Sequence, residues 1–133
     1  TANTISATFI HFINSEDHFI QTVLQGEPTV WEIGGWAQKT GIPKPPGIGE
    51  DWSDFKRRQV QIAPIFDYAA EVWSATDKYL SSLPVDDLNR MVNFHGSDRS
   101  VADVLRLCVS QAQGHLGEIA ALKGVQGKRG LPV

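Results

Sequence analysis

Cysteine is nearly missing: Cys108 stands alone in 133 residues, so no intramolecular disulfide can form and a cysteine-rich zinc site is excluded. A chain without that staple depends on its apolar core, and the expected compartment is the reducing cytoplasm. No run of 18 apolar residues occurs, and the opening Thr1-Ala2-Asn3-Thr4 is neither basic nor apolar, so no membrane partner and no secretory leader are expected. Basic clusters are missing too. Twelve Lys+Arg against fifteen Asp+Glu give a formal net charge of −3, and no basic run exceeds Arg57-Arg58, which argues against nucleic acid as a partner. The glycine-rich phosphate loops, the serine-hydrolase elbow and the H-E-x-x-H zinc motif are all absent. Gly124-Val-Gln-Gly127-Lys128 superficially suggests a phosphate loop, but it ends a helical pattern where such a loop must open one. Strand-like alternation of useful length is lacking as well, which leaves helices as the building units.

What is present suits one folded domain over residues 1–133, with 41% apolar and 20% charged residues. Ile5, Phe9, Phe12, Ile13, Phe19, Ile20, Val23 and Leu24 follow three-and-four spacing and predict a helix from about Thr4 to Gln25, with Asn3 as its cap and Gly26 as its stop. Residues 26 to 52 hold six of the twelve glycines and four of the seven prolines, with Trp31, Trp36 and Trp52 among them. They read as a long loop whose tryptophans either plug one end of the core or form a lid. Ser53 caps a short helix to about Ile62. Ile65, Ala69, Val72, Thr76, Tyr79 and Leu83 then form a heptad-like seam, ended by Pro84. The polar stretch 84 to 99 reads as loop. Ser100 with Asp103 opens the last helix, which runs to Gly124. The architecture expected is all-α. Because the first helix starts without lead-in, native sequence upstream of Thr1 is expected, and with it a fourth helix to complete a four-helix bundle.

The histidines carry what chemistry the chain offers. His11 and His18 share a polar strip with Thr4, Thr8, Ser15 and Thr22, but seven residues separate them by ~10 Å, too far to bind one ion. His95, in a turn-rich stretch, reads as a solvated side chain, and Cys108 as a buried structural thiol. On the last helix, Gln111 and His115 are four apart on one face, with Glu118 three further along. Such a pair, completed by His11 from a neighbouring helix, is how bundles build interior metal sites, and the two imidazoles are expected within roughly 6 Å of each other. Gln111 supplies only a weak neutral oxygen to an ion such as Zn²⁺ or Ni²⁺. A pair of hydrogen-bonded core histidines is the other reading of the same spacing.

The run Asn3-Thr-Ile-Ser with His11, continuing through Glu16-Asp17 and Gly26-Glu27-Pro28, resembles the second helix of the DinB-like bundles. Gly114-His-Leu-Gly-Glu-Ile-Ala-Ala-Leu-Lys-Gly-Val-Gln-Gly-Lys-Arg-Gly-Leu-Pro132 resembles their last helix and tail, the most specific part of a likeness that spans the chain. The resemblance implies a four-helix bundle related in fold to bacterial metal-dependent thiol S-transferases, often a homodimer. It also implies a divalent-metal site made by a His on the second helix and H-x-x-x-H on the last. These map onto His11, Gln111 and His115, with Gln111 standing where the family has its middle His. Two functions follow: a metal-dependent transferase or hydrolase acting on a small thiol, or a non-catalytic dimeric binding or structural module in which Gln111 bonds His115 across a decayed site. Homodimerisation is also expected because three helices without the fourth leave an apolar groove.

Overall fold

The computed structural model describes residues 3–47 and 49–131; Thr1, Ala2 and Pro132 of the stretches quoted above lie outside them. Three long helices form the frame. Helix α1 (Ile5–Asp17) continues directly into a π-helical segment (His18–Leu24). Helix α5 (Ile62–Ser82) and helix α6 (Val101–Val125) both pack against α1. The heptad-like seam of α5 turns inward as its spacing requires, with Ile65, Ala69, Val72 and Tyr79 buried.

The caps depart from expectation in two places: Ser53 is the first residue of the short helix Ser53–Lys56 and Trp52 holds its N-cap position without a side-chain bond, and Asn3 is displaced as well. Thr4, not Asn3, caps α1, its hydroxyl accepting from the Ala7 amide at 3.2 Å. Asn3 is thereby free to donate its side-chain amide to Glu118 Oε1 at 2.8 Å. At the other end Gly26 takes φ +73°, the left-handed stop anticipated for it. Ser100 caps α6 as expected, accepting from the Asp103 amide at 3.1 Å.

The stretch expected to be a long loop is partly helical. It contains α2 (Val30–Ile33) and α3 (Trp36–Thr40), and α2 opens on a capping box between Thr29 and Glu32. What folds it down is Asp17, a fully buried carboxylate that accepts from the Val30 and Trp31 amides at 2.8 and 3.0 Å and from the Tyr68 hydroxyl at 2.8 Å. Burial raises the Asp17 pKa, and these three donors oppose that rise. Trp31 and Trp36 consequently join Ile10, Ile13, Ile65, Tyr68 and Val72 in the larger core cluster. Trp31 meets Tyr68 edge to face at 5.0 Å. These two tryptophans therefore plug the core. The next helix, α4 (Ser53–Lys56), stops well short of Ile62.

A second difference is a β-hairpin where loop was expected. Strands β1 (Met91–Phe94) and β2 (Ser97–Ser100) pair antiparallel with Phe94 opposite Ser97 and Met91 opposite Ser100. The two-residue connection His95-Gly96 has φ +51° and +82°, the left-handed pair of a type I′ turn, and Asn93 Oδ1 accepts from the Gly96 amide. The apolar alternation is only Val92 and Phe94, too short to stand out in sequence. Both pack against the second core cluster, which contains Phe19, Ile20, Leu24, Tyr79, Val101 and Val104. Among the described residues, no helix is long and apolar enough to cross a membrane.

A candidate two-histidine site

Helix α1 presents its polar strip to α6, and the strip meets that helix at His11. The rings of His11 and His115 stand edge to face, centroids 5.1 Å apart, within the roughly 6 Å expected from their spacing. Trp52, at the start of α4, places its indole edge to face with His11 at 5.0 Å. Both imidazoles open on a cavity of about 360 Å³, which Thr8, Glu50, Asp51 and Trp52 help to line. Of the three tryptophans in the segment between α1 and α4, only Trp52 reaches this space.

His115 is held by its own helix. Its Nδ1 lies 3.2 Å from Glu118 Oε2, an i, i+3 contact that leaves Nε2 as the ring nitrogen without that partner. Desolvation raises the Glu118 pKa, but the hydrogen bonds from Asn3 and His115 outweigh it and hold the group below its usual value. Asn3, Glu118 and His115 thus form a chain in which an ionised carboxylate fixes the imidazole. The three-residue spacing is the one sequence signal for Glu118. His11 has its pKa lowered, first by burial and then by the neighbouring His115, so its neutral, lone-pair-bearing form is favoured.

The chain matches the DinB superfamily over residues 1–119. It belongs to that superfamily. No curated protein matches it closely enough to add a relative.

Gln111 is less well placed than a DinB-superfamily metal ligand would be. It sits one turn before His115, yet it is not among the residues that line the cavity, and its Oε1 is buried without a hydrogen-bond partner. The expected bond from Gln111 to His115 is therefore not formed at that oxygen; Glu118 holds His115 instead. Among the described residues, no group of three His, Cys, Asp or Glu is placed to hold a metal ion. Two imidazoles thus line the cavity of this DinB-superfamily member, while the amide oxygen of Gln111 is buried and orphaned outside that lining.

The other titratable groups divide between structure and a second cleft. Cys108 is a partly buried thiol whose pKa is pushed up to about 12 by desolvation and by the Glu16 carboxylate, which favours its neutral form. His18 does not approach the His11 site. It pairs instead with His95 at the hairpin tip, ring centroids 6.0 Å apart, across a larger cavity of about 760 Å³. His95 is exposed, as its turn-rich surroundings suggested, but it faces a partner that sequence spacing could not supply.

Proposed function

We propose that this DinB-superfamily chain binds a divalent ion such as Zn²⁺ or Ni²⁺ through His11 and His115, with the Gln111 amide as a weak third donor, and acts on a small thiol in the manner of a thiol S-transferase. The single observation that carries the reading is the edge-to-face approach of two imidazoles, one of them fixed by a carboxylate, at the wall of an open cavity. A bound ion supplies charge that lowers the pKa of a thiol or water and makes a nucleophile at neutral pH. The protein's own residues do the rest. Glu118 orients His115, burial keeps His11 neutral, and Trp52 restricts the space beside His11. Such chemistry belongs to the cytoplasm, where small thiols stay reduced.

Metal content of protein purified without a metal-affinity tag, followed by calorimetric titration with Zn²⁺, tests this directly. Binding should weaken at least tenfold in His11→Ala and in His115→Ala. Zn²⁺ affinity indifferent to both substitutions would end the proposal.

One observation favours a second reading, in which the metal site has decayed and the bundle is a dimeric binding or structural module. Phe66, Trp73 and Leu80 repeat every seven residues along α5 and remain exposed, an apolar stripe of the kind that marks an interface. Tag-free protein with no bound metal, no affinity for added Zn²⁺ and a dimer mass would support this alternative.

A further inference from the structure

The cavity of about 760 Å³ beside His18 and His95 is walled largely by hydrogen-bond acceptors. Glu50 and Asp51 face it, and no ion pair among the described residues engages either carboxylate. Glu50 Oε2 accepts from the Gly47 amide and Asp51 Oδ1 from the Ser53 amide, both at 2.8 Å, which holds the two groups on their loop and leaves each with a second oxygen. Pro45 and Pro46, also in the lining, have no N–H to donate. The ammonium of Lys44 is already paired with Glu32 at 2.8 Å. Burial, then His95 and Lys44, lower the pKa of His18, so its ring enters the wall as a neutral imidazole with a lone pair.

A second observation points the same way. Three buried polar side chains border this space, Asn14, Ser15 and Thr29. The Ser15 hydroxyl donates to the His11 carbonyl at 2.8 Å and the Thr29 hydroxyl to Glu32 Oε2 at 2.9 Å. Asn14 is 7% exposed and faces the cavity, and no hydrogen bond among the described residues engages its amide. It stands one turn before His18, so the two side chains share a face of the helix. A buried amide without a partner costs free energy that a ligand in the cavity would recover.

We infer that this cavity binds a small organic cation through a primary ammonium group, held among the carboxylates of Glu50 and Asp51, the Asn14 amide and the His18 ring. An anion would be repelled by the two carboxylates. A cation without N–H groups would leave the acceptors unmatched. The His18 and His95 rings stand 6.0 Å apart, and among the described residues no third His, Cys, Asp or Glu is placed with them to hold a metal, so the space suits an organic cation better than a bare ion. The inference does not use the site at His11 and stands without it.

The ring resonances of isotope-labelled histidine, followed during titration, test it. The probes are 1,4-diaminobutane, which carries primary ammonium groups; tetramethylammonium, a cation without N–H; butyrate, a chain of the same length and opposite charge; and Zn²⁺. Diaminobutane should shift His18 and His95 saturably, and more than His11 and His115, and should bind about tenfold tighter than tetramethylammonium or butyrate. Glu50→Gln and Asp51→Asn remove the charge yet keep an oxygen for the Gly47 and Ser53 amides. Both positions are exposed, so neither change threatens the fold. Each should weaken diaminobutane about tenfold, the loss of one charge-assisted hydrogen bond. Asn14→Ala should act in the same direction with an unchanged circular dichroism spectrum. Equal affinities for diaminobutane and tetramethylammonium, or an unchanged affinity in both loop variants, would overturn the inference. Shifts confined to His11 and His115 would do the same, as would Zn²⁺ moving His18 and His95 where the amine does not.

Discussion

His115 is gripped from both sides of its ring system: Glu118 lies 3.2 Å from Nδ1, and the ring of His11 stands edge-on at 5.1 Å. A carboxylate behind a ligating histidine fixes its tautomer and raises its basicity. Glu118→Gln should therefore weaken Zn²⁺ binding by roughly 10–100-fold while leaving the fold intact, since the side chain is only partly buried, at 32% exposed. Calorimetry beside circular dichroism checks both halves of this statement, and unchanged affinity would mean that Glu118 serves only the helix surface.

Gln111→His should supply a third imidazole. The expected gain in Zn²⁺ or Ni²⁺ affinity is about tenfold or more, equivalent to ~1.4 kcal/mol. Calorimetric titration of the two proteins side by side measures it. Equal affinities would show that position 111 does not face the ion.

Trp31 and Trp36 should be structural and Trp52 a reporter. Trp31 is 2% exposed and fills the space between α2 and Tyr68, so Trp31→Ala should cost about 3–5 kcal/mol in urea unfolding. Trp52 touches His11, and its fluorescence should change when Zn²⁺ is added, a response lost in Trp52→Phe. A spectrum that stays constant at saturating metal would remove any lid role for the segment between α1 and α4.

Acid stability should carry the mark of Glu32. Its pKa is lowered from 4.5 to about 2 by the Lys44 hydrogen bond first and by the Thr29 amide and hydroxyl next. A carboxylate depressed in the folded state contributes stability above its unfolded pKa, and that contribution is lost as pH falls from about 4.5 through 2. The group is nearly half-exposed, so solvent screening keeps the effect to under about 1 kcal/mol. Glu32→Gln should flatten the melting temperature across this window, and an identical pH slope in both proteins would assign the acid sensitivity elsewhere.

Oligomeric state should follow the α5 stripe. Light scattering at micromolar concentration should give a dimer mass, and Trp73→Glu, which places a charge between Phe66 and Leu80, should return the monomer. A monomer before substitution would leave the stripe without this role.

The three long helices were legible because helix formation is local: the seam from Ile65 to Tyr79 repeats within a few turns, and Ser100 with Asp103 signals its own start. The pairing of His11 with His115 was legible for a related reason. Each occupies a polar position beside apolar residues of its helix, and the likeness to the DinB superfamily says which helices meet. The hairpin was not legible, since Val92 and Phe94 become a strand face only once Phe19 and Val104 give them something to cover. Nor was the docking of the tryptophan segment, which hangs on one buried carboxylate, Asp17, whose three partners lie on α2 and α5. His18 and His95 meet for the same reason. Sequence by itself determined the three long helical stretches and which polar groups they carry. The crossing of α1 with α6 and the folding back of the hairpin decided which of those groups share a cavity, because contacts between distant segments depend on the packing of the whole core and leave no periodicity along the chain.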